Sequence, residues 1–104
     1  MTQVAVVAKL TAVEGKADEL RAVITELVTA VDQTEPETLV YAAAQDNEDP
    51  SVFWFYEFYP SADAAANHAG GAALATAGAN MRGLLAGRPE VHRLTPVSAK
   101  GLPA

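Results

Sequence analysis

The fold of this chain is decided by one stretch of sequence, SVFWFYEFY at residues 51–59. Its aromatic and β-branched residues favour a β-strand. Because side chains alternate between the two faces of a strand, the odd-numbered and even-numbered aromatic residues lie on opposite sides. The two sets are Phe53 and Phe55 on one side and Trp54, Tyr56 and Phe58 on the other. The stretch therefore predicts a strand that is apolar on both faces.

The rest of the chain alternates between strand and helix periodicity. Strand segments are apolar at every second residue, and helical segments at every third or fourth. Pro36 ends the first helix because proline disfavours helical geometry at the preceding residue, and Gly70-Gly71 breaks the second. The predicted elements are strands at 4–13, 38–45, 51–59 and 91–97, a helix from Ala17 that ends within 32–36, and a broken helix at 62–86.

This β-α-β-β-α-β order predicts an α+β fold of the ferredoxin-like, split βαβ type with an antiparallel sheet. We predict one such domain over residues 1–98 and a short tail at 99–104. Helices would cover one face of the sheet and leave the other bare. A large bare apolar face is rare on a soluble monomer. We therefore predict a symmetric homodimer whose two chains pack these faces together.

The composition excludes several classes of protein. The 104 residues include no Cys, which removes disulfide, iron–sulfur and thiolate zinc sites. A net charge of -6 argues against nucleic-acid binding, which needs a basic surface. The longest apolar runs are too short to span a membrane, and the residues at 1–3 lack the basic region of a signal peptide. We expect a cytoplasmic domain that binds neither nucleic acid nor membrane.

Few side chains here could perform acid–base chemistry. His68 is the strongest candidate for a general base, because an ordinary imidazole titrates near pH ~6.5 and its alanine neighbours leave room for a flat ligand. Glu57 is the one acid in the aromatic strand, where a carboxylate is costly unless paired. It could orient His68 or bind a substrate hydroxyl. In a structural role it could pair with Arg82 or Arg93, or close the dimer. A structural His68 that hydrogen-bonds Glu57 is the alternative.

Aromatic and apolar residues would complete this site. Tyr59 lies at the strand end beside the helix that carries His68, so its hydroxyl could donate a hydrogen bond to a substrate. The same aromatic residues could instead serve only as core or dimer interface. The expected catalytic residues are His68 and Tyr59, and the expected substrate-binding residues are Tyr41, Phe55, Glu57, Leu74 and Met81.

The distribution of charge favours an uncharged substrate and gives poor support for a metal. No Lys or Arg occurs between Arg21 and Arg82, so only Arg82 or Arg93 could hold an anion. We therefore expect a neutral or phenolic substrate. The second histidine, His92, is distant in sequence from His68, so no metal-ligand spacing is recognisable.

Several short pieces of the chain occur in the order typical of a known family. They are VVAKL at 6–10, Gly15-Lys16, Glu19-Leu20, Glu35-Pro36, Leu39, Tyr41, Asp49-Pro50, EFY at 57–59, Ser61, Ala64, His68, Val97 and Lys100-Gly101. Through them the chain resembles the antibiotic-biosynthesis-monooxygenase domains, whose fold is the dimeric α+β barrel. The resemblance implies a homodimer with one apolar pocket in each subunit.

The resemblance also implies a reaction class. The family includes oxygenases that oxidise hydroquinones or polycyclic aromatic compounds with O2 and without metal, flavin or haem. We therefore expect a cofactor-independent monooxygenase acting on a quinol-like or hydroxylated polycyclic aromatic substrate. An isomerase or lyase, or a non-catalytic small-molecule-binding or dimerising stress-related protein, are the alternatives. Phe55 and Tyr59 stand where polyketide-type members of the family commonly carry Asn and Trp, so the catalytic assignment of those members does not carry over to this chain. Ala8 stands where haem-degrading members use Asn, which argues against haem degradation.

Overall fold

Four strands form one antiparallel sheet, and three helices pack on one face of it. A computed structural model describes residues 2–102 of the chain. The elements are β1 (Val4–Thr11), α1 (Ala17–Thr34), β2 (Val40–Gln45), β3 (Val52–Tyr59), α2 (Ala62–Ala69), α3 (Ala72–Asn80) and β4 (Glu90–Leu94). The strand order is β2-β3-β1-β4, with every neighbouring pair antiparallel. The predicted α+β, ferredoxin-like fold is therefore confirmed.

The two faces of the sheet differ in how they are covered. The helix face, which carries Phe53 and Phe55, packs against α1 and α3 to form the main core. The opposite face, called the open face here, carries Trp54, Tyr56 and Phe58. Trp54 and Tyr56 are only half-buried, whereas Phe58 is fully buried. The aromatic strand is thus apolar on both sides, and the helices cover one of them.

The helix α1 fixes one wall of the site. It starts after a turn at Gly15, where the backbone is left-handed with φ +82. Its buried residues recur at helical spacing and face the sheet; they are Leu20, Ile24, Leu27 and Val31. It ends where the N–H of Glu35 donates to the carbonyl of Val31, 2.9 Å away. Within residues 2–102, no helix combines the length and apolar character needed to cross a membrane.

The predicted ends of two elements differ most from the observed ones. The predicted helix at 62–86 is broken at Gly70-Gly71 as expected, but its second half ends at Asn80. Turns follow, and Gly83 adopts φ +79, which no helix residue has. The last strand ends at Leu94 instead of residue 97, because Pro96 has no N–H to donate to a ladder.

Candidate functional site

A cavity of about 600 Å³ lies between the helix face of the sheet and the helices α2 and α3. We call it the sheet cavity. Its walls are largely apolar and come from all four strands on one side and from the helices and the loop after α3 on the other. All seven predicted site residues line it, namely His68, Tyr59, Tyr41, Phe55, Glu57, Leu74 and Met81. The fold therefore brings the whole predicted set to one place.

The sheet register explains why the polar side chains meet. Tyr41 on β2 lies opposite Glu57 on β3, and Glu57 lies opposite Val6 on β1. Val6 in turn lies opposite Arg93 on β4. Neighbouring strands are ~4.8 Å apart, so Tyr41 and Glu57 are adjacent while Arg93 is two strands from Glu57. Tyr59 is two residues further along β3 and shares this face.

His68 is buried on α2 and stands between two carboxyl groups. Its Nδ1 lies 2.6 Å from Oε1 of Glu35, which also accepts a hydrogen bond from the Thr38 hydroxyl at 2.9 Å. Its Nε2 lies 3.9 Å from Oε1 of Glu57. When Glu35 is ionised, its carboxylate can only accept a hydrogen bond, and Nδ1–H of His68 is then the donor in this contact. The ring centroid of Tyr41 is 4.8 Å from that of the imidazole.

Glu57 and Tyr59 form a buried hydrogen-bonded pair. The hydroxyl of Tyr59 donates to Oε1 of Glu57 at 2.5 Å. Burial raises the pKa of Glu57, although the Tyr59 hydrogen bond and the nearby His68 and Arg93 act in the opposite direction. Burial also raises the pKa of Tyr59 and of Tyr41, and the charge of Glu57 adds to both shifts. Both phenols therefore stay protonated, and each hydroxyl keeps a hydrogen that it can donate.

The partners of Glu57 differ from those expected from the sequence. Neither Arg82 nor Arg93 lies within ion-pair distance of any carboxylate among residues 2–102. Tyr59 satisfies Glu57 instead. Both arginines nevertheless line the sheet cavity. The cations that an anionic substituent would need are thus at the site, which weakens the argument from charge for an uncharged substrate.

Glu35 is the site residue that the sequence did not single out. In the sequence, Glu35-Pro36 marks only the end of the first helix and one of the pieces that resemble the family. Its carboxyl meets His68, 33 positions later, because α1 ends beside α2. An acid at a helix end is too common to mark a site. The one usable signal was its place among the pieces that resemble the family.

A second cavity of about 790 Å³ lies on the other side of His68, between α1, α2 and α3. We call it the helix groove. Its lining includes the carboxylates of Glu26, Glu35 and Glu37 and, within residues 2–102, no Lys or Arg. In the same described part of the chain, Leu27 and His68 are the two residues that line both cavities. The imidazole therefore separates an acidic groove from a cavity that carries two arginines.

The sheet cavity suits a flat aromatic ligand. The rings of Tyr41 and Phe55 lie 5.3 Å apart at an angle of 50°, and they form a wall beside the polar cluster. A ligand with hydroxyl groups could place them against His68, Glu57 and Tyr59 while its rings contact the apolar wall. Among residues 2–102, no three His, Asp or Glu side chains are arranged to hold a metal ion.

Comparison with known proteins agrees with this architecture. Residues 3–80 match the family model for antibiotic biosynthesis monooxygenase. The chain belongs to the antibiotic biosynthesis monooxygenase family. The resemblance read from the sequence is thereby confirmed, and a search of curated proteins finds no match.

Solved structures of similar proteins cover nearly the whole chain. A candidate antibiotic biosynthesis monooxygenase from Caulobacter crescentus is 33% identical, with a TM-score of 0.87 over 93% of this chain and 92% of that one. Another from Chloroflexus aurantiacus is 27% identical, with a TM-score of 0.81 over 98% and 100%. A protein of unknown function from Nitrosomonas europaea is 25% identical, with a TM-score of 0.86 over 100% and 97%. Family membership thus fixes the fold, while the substrate has to be argued from the site.

Proposed function

We propose that this family member is a cofactor-independent monooxygenase that oxidises a quinol-like or hydroxylated polycyclic aromatic compound with O2. The observation that supports this is the polar cluster of His68, Glu57, Tyr59 and Tyr41 at one side of an otherwise apolar cavity. A deprotonated, electron-rich aromatic compound can reduce O2 directly. The protein then needs to supply only a base, hydrogen-bond donors and a site that excludes water.

His68 is the base in this proposal. Nε2 takes the proton of a substrate hydroxyl, since Nδ1–H is already engaged with Glu35. The resulting substrate anion gives electrons to O2. One oxygen atom becomes a carbonyl on a ring carbon that loses its single hydrogen, so that a quinone forms. The other oxygen atom leaves as water with that hydrogen and with the proton that Nε2 took from the hydroxyl, so the base is regenerated.

The two tyrosines act as donors to the anion. Their hydroxyls stay protonated because burial raises the pKa of both phenols. Tyr59 now donates to Glu57 and can turn to a substrate oxygen that arrives beside that carboxyl. Fixed donors in a cavity of low polarity stabilise a developing oxyanion more than water does, because they need no reorganisation.

The proposal includes a homodimer formed through the open face. Trp54 and Tyr56 are half-buried there, and the Lys9 ammonium lies 5.5 Å from the centroid of the Trp54 ring. Leu94, at the edge of the same face, is 46% exposed. A second copy of the chain would cover this apolar surface without entering the sheet cavity, which lies on the other face. Each chain would thus keep a complete site.

Oxygen uptake by protein freed of metal and flavin tests the activity. The substrates are a panel of naphthohydroquinones and hydroxylated anthracenes, each corrected for its own autoxidation. We expect uptake above autoxidation, and a loss of at least about 100-fold in His68→Ala, the usual scale for removing a general base. His92→Ala is the matched control, because His92 is exposed on β4 and does not line the cavity. Uptake at the autoxidation rate across the panel, or equal rates in both variants, would contradict the proposal.

A further inference from the structure

The two ring nitrogens of His68 face different cavities. Nδ1 faces Glu35, which lines the helix groove and not the sheet cavity. Nε2 faces Glu57, which lines the sheet cavity and not the helix groove. The two distances also differ, at 2.6 Å for the Glu35 contact and 3.9 Å for the Glu57 contact. One nitrogen is therefore hydrogen-bonded in the structure, and the other is open to a ligand.

We infer that Glu35 is a positioning residue for His68 and that it acts from the helix groove, outside the sheet cavity. It holds the proton on Nδ1, which leaves the lone pair on Nε2 inside the sheet cavity. It also balances the charge of the imidazolium when Nε2 takes a proton from a substrate. The inference rests on the proposed function for its kinetic consequences, but the protonation of the ring is a property of the resting protein.

The surroundings of Glu35 support this assignment. Its Oε1 accepts from both His68 and the hydroxyl of Thr38, so the carboxyl group is held from two sides. A Cβ atom built on Gly71 would lie 3.5 Å from Oε2, which places the carboxyl directly against the α2–α3 turn. An oxygen atom that takes part in two hydrogen bonds holds its carboxyl group in one orientation. The imidazole bound to that carboxyl group is then held in one orientation as well.

The two carboxyl groups beside His68 are suited to different tasks. Glu35 lies in a groove with solvent access, and its side chain is 16% exposed. Glu57 lies in the sheet cavity, where burial raises its pKa and favours the neutral acid. The other polar groups near the ring are the phenols of Tyr41 and Tyr59, with Arg93 beyond Glu57. Glu35 is thus the carboxylate best placed to hold the Nδ1 proton and to oppose the charge of an imidazolium.

The resting protein provides the first test, through ¹⁵N NMR of histidine-labelled samples. We expect the neutral ring of His68 to show a protonated Nδ1 and a bare Nε2 in the wild type. Glu35→Gln should shift the ring toward the opposite tautomer, because the new amide can donate to Nδ1. Glu37→Gln is the matched control, since it removes the same charge from the same groove at an exposed residue. A wild-type ring protonated on Nε2, or ring signals unchanged by Glu35→Gln, would overturn the inference.

The second test measures the kinetics of a panel compound that the wild-type protein oxidises. Glu35→Gln should lower kcat at least about tenfold with little change in KM, because Glu35 touches the base and not the substrate. The acid limb of its pH–rate profile should move to lower pH, since the imidazolium loses its counter-ion. Glu35→Asp should recover part of the rate, while Thr38→Val should reproduce a smaller version of the defect. Equal rates and equal profiles in Glu35→Gln and wild type would overturn the kinetic part.

The two tests separate this inference from the proposed function. If no panel member is oxidised, the proposed function fails, but the NMR result still decides whether Glu35 holds the Nδ1 proton. Thermal unfolding followed by circular dichroism identifies any variant that has lost its fold. If Glu35→Gln does not fold, Thr38→Val keeps the test available. This variant removes the Thr38 hydrogen bond to Glu35 but keeps the Glu35 carboxyl group and the His68 imidazole.

Discussion

Glu57 is the residue whose ionisation opposes folding. It is an acid in the aromatic strand, and burial raises its pKa in the folded chain. The folded state therefore binds the proton more tightly than the unfolded state, and the free energy of unfolding decreases as pH rises from the ordinary value of 4.5 through the raised pKa. Above that window the loss is complete and constant.

Glu57→Gln should remove this part of the pH dependence. Urea unfolding at a series of pH values from 4 to 8 would follow the difference in unfolding free energy between wild type and variant. We expect wild type to lose stability relative to Glu57→Gln as pH rises, because only the wild type must keep a buried carboxylate. Glu48→Gln, in the exposed turn after β2, is the control and should leave the slope unchanged. If the wild type instead gains stability relative to Glu57→Gln as pH rises, the pKa of Glu57 is lowered by folding and this prediction is wrong.

The residue-level parts of the site were predictable to different degrees. Alternation along β3 places Phe55, Glu57 and Tyr59 on one face, so their position on the same side of the sheet follows from the sequence. The contact between Glu35 and His68 does not follow from it, because the two lie on different helices. Their approach depends on where α1 ends and on how α2 packs beside it. The spacing of apolar residues in the sequence does not predict that packing.

At the level of elements, the break between α2 and α3 positions His68, the proposed base. Gly71 lies in the turn directly after the helix that carries His68. A Cβ atom there would be 3.0 Å from the carbonyl oxygen of Asn67 and 3.3 Å from that of His68. Both contacts are to backbone, so the end of α2 would have to move to accept a side chain. Glycine avoids this displacement because it has no Cβ atom.

Gly71→Ala and Gly78→Ala should have opposite effects on stability. The first should destabilise the protein by about 1–3 kcal/mol, the usual cost of forcing atoms into a packed site. The second should stabilise it by about 0.5–1 kcal/mol, because Gly78 is in α3, has nothing within 4 Å of a built Cβ, and alanine favours helix. Urea unfolding of the two variants beside wild type measures both. Equal stability of the two variants would show that the turn tolerates a side chain.

The order of elements was predictable because their periodicities differ, and their ends were less so. The apolar spacing of α1 and the alternation of β1 are properties of the local sequence. The alanine-rich stretch after Gly71 carries no such boundary, since alanine continues a helix without cost. Its true end at Asn80 is set by the turns around Gly83, which bring Leu84 and Leu85 back to the sheet.

At the scale of the whole molecule, the sheet separates two surfaces for which we propose different tasks. The sheet cavity and its polar cluster lie on the helix face, and the half-buried Trp54 and Tyr56 lie on the open face. Because a strand presents alternate residues to each side, one aromatic stretch serves both surfaces. Changes on the open face should therefore alter assembly and leave the residues that line the cavity in place.

Tyr56→Glu should convert the proposed dimer into single chains. We expect wild type to have twice the mass of one 10.9 kDa chain by light scattering at micromolar concentration. A carboxylate at a covered apolar surface is unpaired and desolvated, so the dissociation constant should rise by at least about 100-fold. Thr25→Glu, on the exposed side of α1, adds the same charge elsewhere and should leave the mass unchanged. A wild type that scatters as one chain would remove the dimer, and with it the reason for apolar residues on both faces of β3.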